Sequence, residues 1–358
     1  MLNICHINLA KGFRGGERQT ELLIKALGRE DNVSQKVIVR KDSPLVDRLS
    51  GVDAQLSLHP VSKPYLFHAR HVKDCSLLHV HEAKAGQFAY LATRIYKRPY
   101  LITRRVPNPI KNNALTRRIY SGAERIVALS DAIREVLTYY DANLDPLVIP
   151  STVSSLPVNP EVSGGIRNRY RNKFLVGHAG ALVNHHKGQQ YIVEAAAALQ
   201  QEYPQIHFLL LGQGKDEEWL KRMAAGLDNL EFLDFRENLG DFLAAFDLFV
   251  FPSLHEGLGS VLLDAMQFKL PIVASRVGGI PEIIEHGKNG LLIPSGDSRA
   301  LAESILYLYK NADIRRDLAE NAYQVSLNYH PHSVAQRYLL LYREILHGPG
   351  RMGTAAKG

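Results

Sequence analysis

Short apolar runs alternate with stretches in which apolar residues recur every three or four positions. Such runs are typical of buried strands, and the wider spacing is typical of amphipathic helices. In the first half, the runs predict strands over residues 2–8, 35–39, 77–80, 100–103 and 125–129. Between them, the spacing predicts helices over residues 17–27, 85–95 and 132–140. Strands that alternate with helices indicate an α/β fold with a parallel sheet.

The pattern breaks at residues 149–160, which carry three prolines and little periodicity and are typical of a linker. Beyond it, strands are predicted over residues 174–179, 206–211, 230–233, 247–251 and 270–275. Helices are predicted over residues 188–199, 217–225, 260–267, 298–308, 314–327 and 332–346. The prediction is therefore two Rossmann-like domains, 1–157 and 158–330. A C-terminal helix, 331–347, is expected to pack on the first domain, and a disordered tail, 348–358, ends the chain.

Composition and length fit this picture. The chain has 358 residues, of which 46% are hydrophobic and 22% charged, as in an ordinary globular protein with room for two domains. The N-terminus lacks the pattern of a signal peptide, and no apolar run approaches 18 residues. Only Cys5 and Cys75 are present, which gives neither a disulfide framework nor a metal set. We expect a cytoplasmic protein, either free or peripheral at the inner face of the membrane.

The net positive charge of the chain comes entirely from its first half. Through Pro157 there are 23 Lys and Arg against 14 Asp and Glu, whereas the remainder has 20 against 22. Between residues 94 and 118 the basic residues alternate with aromatic and aliphatic ones. Such a surface suits anionic lipid headgroups or a phosphorylated glycan, and a solvated face without a partner is the alternative. Nucleic acid is not expected, because no nucleic-acid-binding motif accompanies the charge.

A glycine-rich turn with two acids stands out in the second half. Glu256 precedes Gly257 and Gly259, and Asp264 follows in a helix for which Ser260 is the predicted N-cap. The glycines permit close backbone approach, and the helix start favours phosphate. Carboxylates beside a phosphate site can accept hydroxyl protons, which indicates a sugar nucleotide. The alternative is a solvated loop acid with a second acid placed by the helix dipole.

A second glycine-rich turn, residues 278–282, follows the next predicted strand. The two turns therefore lie at the same edge of the predicted sheet. Open α/β sheets bind their ligands in a crevice at that edge. The pair of turns thus favours a ligand site over an isolated capped helix.

These residues resemble the signature of the family-four glycosyltransferases, also called glycosyl transferases group 1. The matching residues are Pro252, Ser253, Glu256, Gly257, Gly259 and Asp264. The resemblance covers nearly the whole chain and implies the GT-B fold, in which two Rossmann-like domains face each other across a cleft. It also implies transfer from a nucleotide sugar, with UDP-sugar favoured over GDP-sugar. Transfer would retain the anomeric configuration and need neither a metal ion nor a cofactor.

The resemblance assigns roles in the second domain. Glu256 is implied to be a catalytic residue beside the donor sugar, and Asp264 stands where the family commonly has a Glu that bonds the ribose. Lys187 matches a lysine that holds the donor diphosphate, whereas Ala181 replaces the arginine that assists it. The implied donor-binding residues are Gly15, Gly16, Lys187, Glu256, Gly257, Leu258, Gly259, Ser260 and Asp264.

Two adjacent histidines, His185 and His186, precede the family lysine. Either one of them replaces the missing arginine, or the donor is held chiefly by Lys187 and the helix N-terminus. An exposed loop dipeptide is favoured over a metal pair, because no third ligand is near in sequence.

The first domain also carries matches. Gly15 and Gly16 match a double-glycine loop that approaches the donor phosphate or the acceptor. His81 ends a predicted strand and matches a histidine at the reaction centre of several relatives, which implies that it donates to a sugar hydroxyl or orients the acceptor. A lone structural histidine is the alternative. Further donor or acceptor contacts are predicted at Arg14, Arg18, Glu82, Arg104, Arg105, His185, His186, Phe235 and Arg236.

Several functions are compatible with the sequence. The family's acceptors bind mainly through the first domain, so its positive charge implies an anionic or lipid-linked glycan, such as a lipopolysaccharide core or another surface glycan. The alternatives are a sugar-nucleotide epimerase or phosphorylase of the same architecture, and a non-catalytic binding subunit, which Ala181 favours. An NAD dehydrogenase is disfavoured, because the Gly212-x-Gly214 segment lacks the third glycine of the dinucleotide fingerprint. No Asp-x-Asp metal anchor occurs in the sequence.

Overall fold

The computed structural model describes residues 1–52 and 56–348, which form two compact units. Unit 1 comprises Met1–Thr152 and the chain from His330 onward, and unit 2 comprises Val153–Tyr329. Apart from Gly348, the tail predicted to be disordered lies outside the described residues. Among the helices described, none combines the length and the apolar character needed to cross a bilayer.

Unit 1 is built on a seven-stranded sheet. Its strands are β1 (Leu2–Asn8), β2 (Val33–Arg40), β3 (Leu56–Val61), β4 (Leu77–Val80), β5 (Tyr100–Arg104), β6 (Arg125–Ala128) and β7 (Leu147–Val148). Its helices up to the linker are α1 (Gly15–Leu27), α2 (Leu45–Leu49), α3 (Ala83–Tyr96), α4 (Ala114–Ser121) and α5 (Asp131–Tyr140), with a 3-10 helix over Tyr65–Val72. The strands are parallel in the order β3-β2-β1-β4-β5-β6-β7. The order reverses direction between β1 and β4, the kind of point where open sheets bind ligands.

Unit 2 is built on a six-stranded sheet. Its strands are β8 (Phe174–Ala179), β9 (Ile206–Leu211), β10 (Leu230–Leu233), β11 (Leu248–Phe251), β12 (Ile272–Ser275) and β13 (Leu291–Ile293). Its helices are α6 (Pro160–Arg169), α7 (Asn184–Lys187), α8 (Gln189–Leu199), α9 (Glu217–Met223), α10 (Leu239–Ala245), α11 (Ser260–Gln267), α12 (Ile280–Ile283), α13 (Ser298–Lys310) and α14 (Ala312–Ser326), with a 3-10 helix over Leu327–Tyr329. The strands are parallel in the order β10-β9-β8-β11-β12-β13, and the order reverses between β8 and β11. The two parallel sheets confirm the predicted α/β fold class.

The last helix, α15 (Pro331–His347), follows unit 2 in the chain and belongs to unit 1. It packs against α1, and its buried Val334 and Leu339 share an apolar cluster with Ile4 and Leu101 of the sheet. This cluster covers one face of the unit 1 sheet. Side chains on the other face of the sheet, such as Ile102, pack against α3 instead. Alternation of side chains along each strand separates the two faces.

The units divide after Thr152, five residues before the predicted boundary at Pro157. The reason is local hydrogen bonding within unit 2, where the Val153 amide donates to Tyr329 O at 3.0 Å. Both cysteines are free and buried.

The sequence analysis did not predict strands β3 and β7 or helices α2, α6, α7 and α10, and three further local predictions were incomplete or wrong. Helix α4 was not predicted, because its apolar residues are few; Asn113 Oδ1 caps it by accepting from Thr116 N at 2.9 Å. The short strand β13 was also missed. The N-cap of α11 is Gly259 and not Ser260, because the chain enters this helix in a left-handed conformation, with φ of +83° at Gly259.

Candidate functional site

In unit 2, loops that follow neighbouring strands are joined at the carboxyl edge of the sheet. The backbone amides of Leu254 and His255, after β11, both donate to His186 O, after β8, at 2.8 and 3.2 Å. This is the point where the strand order reverses. The connection fixes the two loops as one surface at the edge where ligands of open sheets bind.

Glycines are required where these backbones touch. A Cβ on Gly188 would lie 2.1 Å from Pro252 O, and a Cβ on Gly278 would lie 1.9 Å from Glu256 O. Both glycines also have positive φ angles, +64° and +52°, which other residues rarely adopt. The loops after β8, β11 and β12 therefore pack together around Glu256.

Lys187 and Glu256 form an ion pair on this surface. Lys187 Nζ lies 2.5 Å from Glu256 Oε2, and the side chains are 24% and 16% exposed. The ammonium also lies 4.9 Å from the centroid of the Phe251 ring, and Glu256 Oε1 accepts from Gly257 N at 3.1 Å. An ammonium has three donors, so Lys187 can keep Glu256 while it binds an anion. The structure thus brings together the two residues predicted for the donor diphosphate and the donor sugar.

The N-terminus of α11 lies in the same loop system. Gly259 provides no side chain to cap the helix, and Leu258, just before it, is buried. The first amides of a helix carry no intrahelical partner, and the helix dipole adds positive potential there. Ser260 opens this helix, so its first turn is suited to a phosphate.

Asp264 is buried and bonded to the chain segment that joins the units. Its Oδ1 accepts from Ser154 N at 2.6 Å, and its Oδ2 accepts from Ser154 Oγ at 3.0 Å. Both carboxylate oxygens therefore already have partners within unit 2. Contact with a ribose stays a prediction, and the contact present here holds the start of unit 2 against α11.

The loop that lacks the family arginine is supported by a neutral histidine. Ala181 is exposed, and its carbonyl accepts from Gln189 Nε2 at 2.9 Å. Beneath it, His178 Nδ1 donates to Val250 O at 3.0 Å. Burial lowers the pKa of His178 to about 4. This imidazole is therefore uncharged at neutral pH and supplies no replacement for the missing cation.

His185 and His186 lie in α7 with their rings 4.2 Å apart between centroids. Burial lowers the pKa of His186, and the neighbouring His185 lowers it further. Protonation of His186 is thus disfavoured, which weakens the prediction that it replaces the arginine. Its carbonyl has a structural role, since it accepts the two amides of the loop after β11.

Phe235 and Arg236 lie in the loop after β10 and are exposed. The Arg236 guanidinium lies 6.0 Å from the centroid of the Phe242 ring. Strand β9 separates β10 from β8, so the topology does not bring these residues beside Lys187. Their place in a base pocket stays a prediction.

In unit 1, a layer of buried polar side chains lies on the sheet face covered by α1 and α15. It includes Gln35 of β2, His6 of β1, His79 of β4, His81 just after β4 and Thr103 of β5, none more than 4% exposed. These residues share one face because side chains alternate along a strand. Buried polar groups are costly unless they are hydrogen-bonded, so their partners determine what the layer can do.

A directed chain of hydrogen bonds runs through the layer from Arg105, which follows β5. Arg105 donates to His81 Nδ1 at 2.9 Å, because a guanidinium has only donors. A neutral His81 then carries its proton on Nε2 and donates to His6 Nδ1 at 2.9 Å. His6 Nε2 in turn donates to Gln35 Oε1 at 3.1 Å, and Gln35 Nε2 donates to Ile24 O at 3.0 Å. Each ring of this chain has one assigned tautomer.

Burial keeps the three imidazoles of the layer neutral. It lowers the pKa of His6 to about 3 and holds the pKa values of His79 and His81 well below their usual value. Arg105 lowers all three pKa values further by charge repulsion. Both ring nitrogens of His81 are engaged inside unit 1. In this state His81 has no free nitrogen for a sugar hydroxyl, contrary to the direct role expected from the sequence.

One ring nitrogen from each of these three histidines lies within 4.8 Å of the others, close enough to share a metal ion. A nitrogen that binds a metal must be unprotonated. Because His81 Nδ1 accepts from Arg105, the proton occupies Nε2, the nitrogen that faces His6. The histidines therefore form a hydrogen-bond network and not a ligand set.

Arg105 is half-buried beside the N-terminus of α1. Its aliphatic Cδ lies 3.5 Å from where a Cβ on Gly16 would be, and its terminal nitrogen lies 3.5 Å from Thr20 Oγ1. Its Nε is buried without a hydrogen-bond partner in the described part of the chain. Burial lowers the pKa of Arg105, although an arginine stays charged at neutral pH. A half-buried guanidinium next to a helix N-terminus is suited to bind an oxyanion.

The double-glycine loop leads directly into α1. Gly15 is its first residue, and the Arg14 amide donates to Glu17 Oε2 at 2.9 Å. Arg14 is exposed and Arg18 is half-buried. Both arginines therefore lie in the first turns of the helix that Arg105 approaches.

Glu82 and Arg104 have structural contacts. Glu82 caps α3, since its carboxylate accepts from the amides of Lys84, Ala85 and Leu9 at 2.6, 2.7 and 3.1 Å. Burial raises the pKa of Glu82 in spite of these bonds. Arg104 donates to the Tyr120 hydroxyl at 3.0 Å. Neither residue contacts the polar layer through these bonds, so their predicted substrate contacts stay predictions.

The sequence analysis missed four residues that shape these sites: His6 and Gln35, which fix the His81 tautomer, Tyr338, which contacts Arg105, and Ser154, which binds Asp264. A signal for the first two was present, because polar residues at alternate positions of an otherwise apolar strand indicate a buried polar face. Tyr338 and Ser154 gave no comparable signal.

Comparison with known proteins supports one family. The model of the family described as "Glycosyl transferases group 1" matches residues 173–311. N-acetyl-alpha-D-glucosaminyl L-malate synthase of Bacillus anthracis is 32% identical over 45% of this chain, an alignment that spans 43% of that relative's length. Phosphatidyl-myo-inositol mannosyltransferase of Mycobacterium leprae is 26% identical over 79% of this chain and 77% of its own. A lipopolysaccharide core biosynthesis glycosyltransferase of Rhizobium meliloti is 32% identical over 38% of this chain and 40% of its own.

Solved structures share the fold over almost the whole chain. HepE of Anabaena, crystallised with UDP and glucose, has a TM-score of 0.83 at 21% identity and covers 95% of this chain and 99% of its own. Sucrose-phosphate synthase of Thermosynechococcus elongatus has a TM-score of 0.82 at 18% identity and covers 96% of this chain and 99% of its own. Residues 173–311 therefore match the glycosyl transferases group 1 family, and the chain shares the GT-B fold of these solved structures.

Proposed function

We propose that this chain transfers a sugar from a UDP-sugar to an anionic glycan or lipid-linked glycan, with retention of configuration and without a metal ion. The Lys187–Glu256 ion pair, at the reversal of strand order in unit 2, carries the proposal. A UDP donor is supported by HepE, which was crystallised with UDP-glucose. Assembly of lipopolysaccharide core or another surface glycan is supported by two relatives whose names concern phosphatidyl-myo-inositol and lipopolysaccharide core.

Lys187 supplies the positive charge that the reaction needs. When the bond between the sugar and the diphosphate breaks, negative charge grows on the leaving diphosphate, and its stabilisation is the largest catalytic task. The Lys187 ammonium and the first amides of α11 both attract that charge. Because Lys187 also contacts Glu256 at 2.5 Å, one ammonium can bridge the diphosphate and this carboxylate. In this proposal Glu256 lies beside the sugar end of the donor.

The step we propose is a front-face displacement. The acceptor hydroxyl oxygen bonds to the anomeric carbon on the face from which the diphosphate leaves, so the configuration is retained. The bond from the anomeric carbon to the phosphate oxygen breaks, and the acceptor proton passes to that departing oxygen. Glu256 accepts hydrogen bonds from the donor sugar and stabilises the positive charge that develops on its ring.

Unit 1 favours an anionic acceptor. Arg105 is half-buried beside Gly16, its hydrogen-bond partners His81 and Thr20 are neutral, and the Glu17 carboxylate interacts with it only electrostatically. A partly desolvated cation whose hydrogen-bond partners are neutral is stabilised when an anion binds. We therefore propose that Arg105 and the N-terminus of α1 contact a phosphate or carboxylate of the acceptor.

A separate face of unit 1 favours contact with an anionic membrane. Residues 83–122 contain nine Lys and Arg and no acidic residue. Leu91 and Ile95 on α3 and Leu115 on α4 are more than 40% exposed among these cations. Apolar side chains surrounded by cations are typical of surfaces that bind anionic bilayers. Sedimentation with phosphatidylglycerol vesicles should deplete the protein from solution, salt should weaken binding, and equal binding to phosphatidylcholine vesicles would contradict this face.

The function is tested by a screen of sugar nucleotides in a thermal-shift assay, followed by product analysis with the stabilising donor. We expect a UDP-sugar to stabilise the protein and the sugar to appear on an anionic acceptor with an unchanged anomeric configuration by NMR. EDTA should leave the rate unchanged. Glu256→Gln should abolish transfer, whereas Glu217→Gln, which removes the acid of a surface pair with Lys221 at 2.7 Å, should not.

Other outcomes would favour the alternatives. Conversion of the UDP-sugar to an isomer without any acceptor would indicate an epimerase. Stabilisation by a UDP-sugar with no turnover, across a panel of phosphorylated and lipid-linked glycans, would indicate a non-catalytic binding subunit, as the exposed Ala181 in place of the family arginine would suggest. Inversion at the anomeric carbon would contradict the proposed step.

A further inference from the structure

The C-terminal helix contributes side chains to the buried polar layer of unit 1. The Tyr338 hydroxyl lies 3.1 Å from Thr103 Oγ1 and also interacts with the Arg105 guanidinium. Tyr342, one turn later on α15, bonds His79 Nδ1 through its hydroxyl at 2.7 Å. Both tyrosines are almost fully buried. Two similar hydroxyls on one helix therefore differ in their partners: that of Tyr338 interacts with Arg105 through a side-chain hydrogen bond, whereas that of Tyr342 bonds His79 and interacts with Arg105 only electrostatically.

Arg105 thus interacts with two side chains of the polar layer. His81 accepts a hydrogen bond from it at 2.9 Å, and the Tyr338 hydroxyl, which lies 3.1 Å from Thr103 Oγ1, also interacts with it. The hydrogen-bond chain behind His81 leaves this imidazole no alternative orientation, since reversal would set two donors or two acceptors against each other. An arginine side chain has several rotatable bonds, so fixed partners reduce the entropy that it loses when it binds a ligand.

We propose that His81 and Tyr338 are positioning residues that hold the Arg105 guanidinium at the N-terminus of α1, where it binds an oxyanion of the substrate. The inference rests on the proposed function, because it gives Arg105 its role in acceptor binding. His81 acts through Arg105 and does not itself contact the sugar. The ligand class is a phosphate or carboxylate, which a guanidinium binds with two parallel hydrogen bonds.

The inference explains why the chain returns to unit 1 after unit 2. Residues from His330 onward belong to unit 1, and Tyr338 lies 235 positions after Thr103 in the sequence. The Arg105 site is therefore incomplete until α15 has packed on the sheet.

The test measures phosphate binding in a Lys187→Met background, which weakens binding of phosphate at the donor site in unit 2. Inorganic phosphate is titrated at constant ionic strength, with chloride as the balancing ion, and its apparent Kd is derived from the thermal shift. Tyr338→Phe keeps the buried ring and removes the hydroxyl. Tyr342→Phe makes the same change one turn away and is the matched control.

Tyr338→Phe should raise the apparent Kd for phosphate about tenfold, as expected for one lost hydrogen bond to a charged group. Arg105→Gln should abolish the phosphate-dependent shift, and Tyr342→Phe should leave the Kd unchanged. Equal effects of the two tyrosine variants would reduce Tyr338 to a packing role and overturn the inference. A phosphate-dependent shift that persists in Arg105→Gln would also overturn it.

The tautomer of His81 provides a second readout that needs no ligand and no activity. Nitrogen-15 NMR of the histidine side chains should show an unprotonated Nδ1 and a protonated Nε2 at His81. A protonated Nδ1 would contradict donation from Arg105. Since neither experiment requires turnover, failure of the positioning inference can be distinguished from failure of the proposed transfer.

Discussion

Mild acid is expected to destabilise unit 1, because its polar layer buries three neutral imidazoles. Burial lowers the pKa of His6 to about 3 and holds those of His79 and His81 well below the usual value of 6.5. In the unfolded chain these histidines titrate near pH 6.5. Below that pH the unfolded chain binds protons that the folded unit excludes. The contribution to stability is therefore complete above about pH 6.5 and is lost as the pH falls toward about 3.

The magnitude follows from this window. Each pH unit inside it removes about 1.4 kcal/mol of unfolding free energy for each imidazole that stays neutral in the folded state. A change from pH 7.5 to pH 5.5 crosses about one such unit, so the three histidines together remove about 4 kcal/mol. A whole domain is commonly stable by only about 5–15 kcal/mol. The effect should thus be a large fraction of the stability of unit 1.

Urea unfolding at pH 7.5 and 5.5, followed by circular dichroism, measures the effect. His6→Gln removes one titrating group and keeps a side chain that can donate and accept hydrogen bonds. The unfolding free energy of this variant should therefore fall less between pH 7.5 and pH 5.5 than that of the unchanged protein, by about 1.4 kcal/mol. His347→Gln is the control, since His347 is exposed at the end of α15. The unfolding free energy of His347→Gln should fall between the two pH values by as much as that of the unchanged protein. Equal losses in the unchanged protein and in His6→Gln would refute the reasoning.

Two further predictions concern unit 2. Gly188→Ala places a Cβ 2.1 Å from Pro252 O at a φ of +64°, so it should lower the unfolding free energy by about 1–3 kcal/mol and displace Lys187. Gly165→Ala is the control, because a Cβ at this position meets open space. The control should change neither urea unfolding nor donor binding. Asp264→Asn should lower the unfolding free energy of unit 2 by about 1–3 kcal/mol, because Ser154 loses a charged acceptor. An unchanged urea midpoint would contradict a stabilising contact between Asp264 and Ser154.

The proximity of Lys187 and Glu256 could be predicted from the sequence, because both residues follow strands of one parallel sheet. Lys187 and Glu256 are 69 positions apart, yet each lies in a loop after a strand, and such loops meet at the carboxyl edge. The glycines that allow these loops to touch were visible in the same motifs. Alternation of strand and helix likewise predicted the α/β class and most of the strands in both units, although β3, β7 and β13 were missed.

The polar layer of unit 1 could not be predicted in the same way. Its bonds join β4 and β5 to a helix more than 200 positions later, and only packing selects which face of α15 meets the sheet. The sequence could not show which ring nitrogen of His81 carries the proton. That position follows from the contact with Arg105, because a guanidinium can only donate hydrogen bonds. The contact between Asp264 and Ser154 could not be predicted either, because Ser154 lies in a linker without periodic hydrophobic positions.

The claim that Lys187 holds a donor diphosphate is tested most directly by isothermal titration of UDP. Lys187→Met is compared with Lys221→Met, which removes a lysine from a surface ion pair of the same unit. We predict that UDP binds the unchanged protein and Lys221→Met with equal affinity, and that Lys187→Met weakens binding at least about tenfold, because a charge-assisted contact is lost. Equal UDP affinity in all three proteins would contradict a donor site at Lys187 and Glu256.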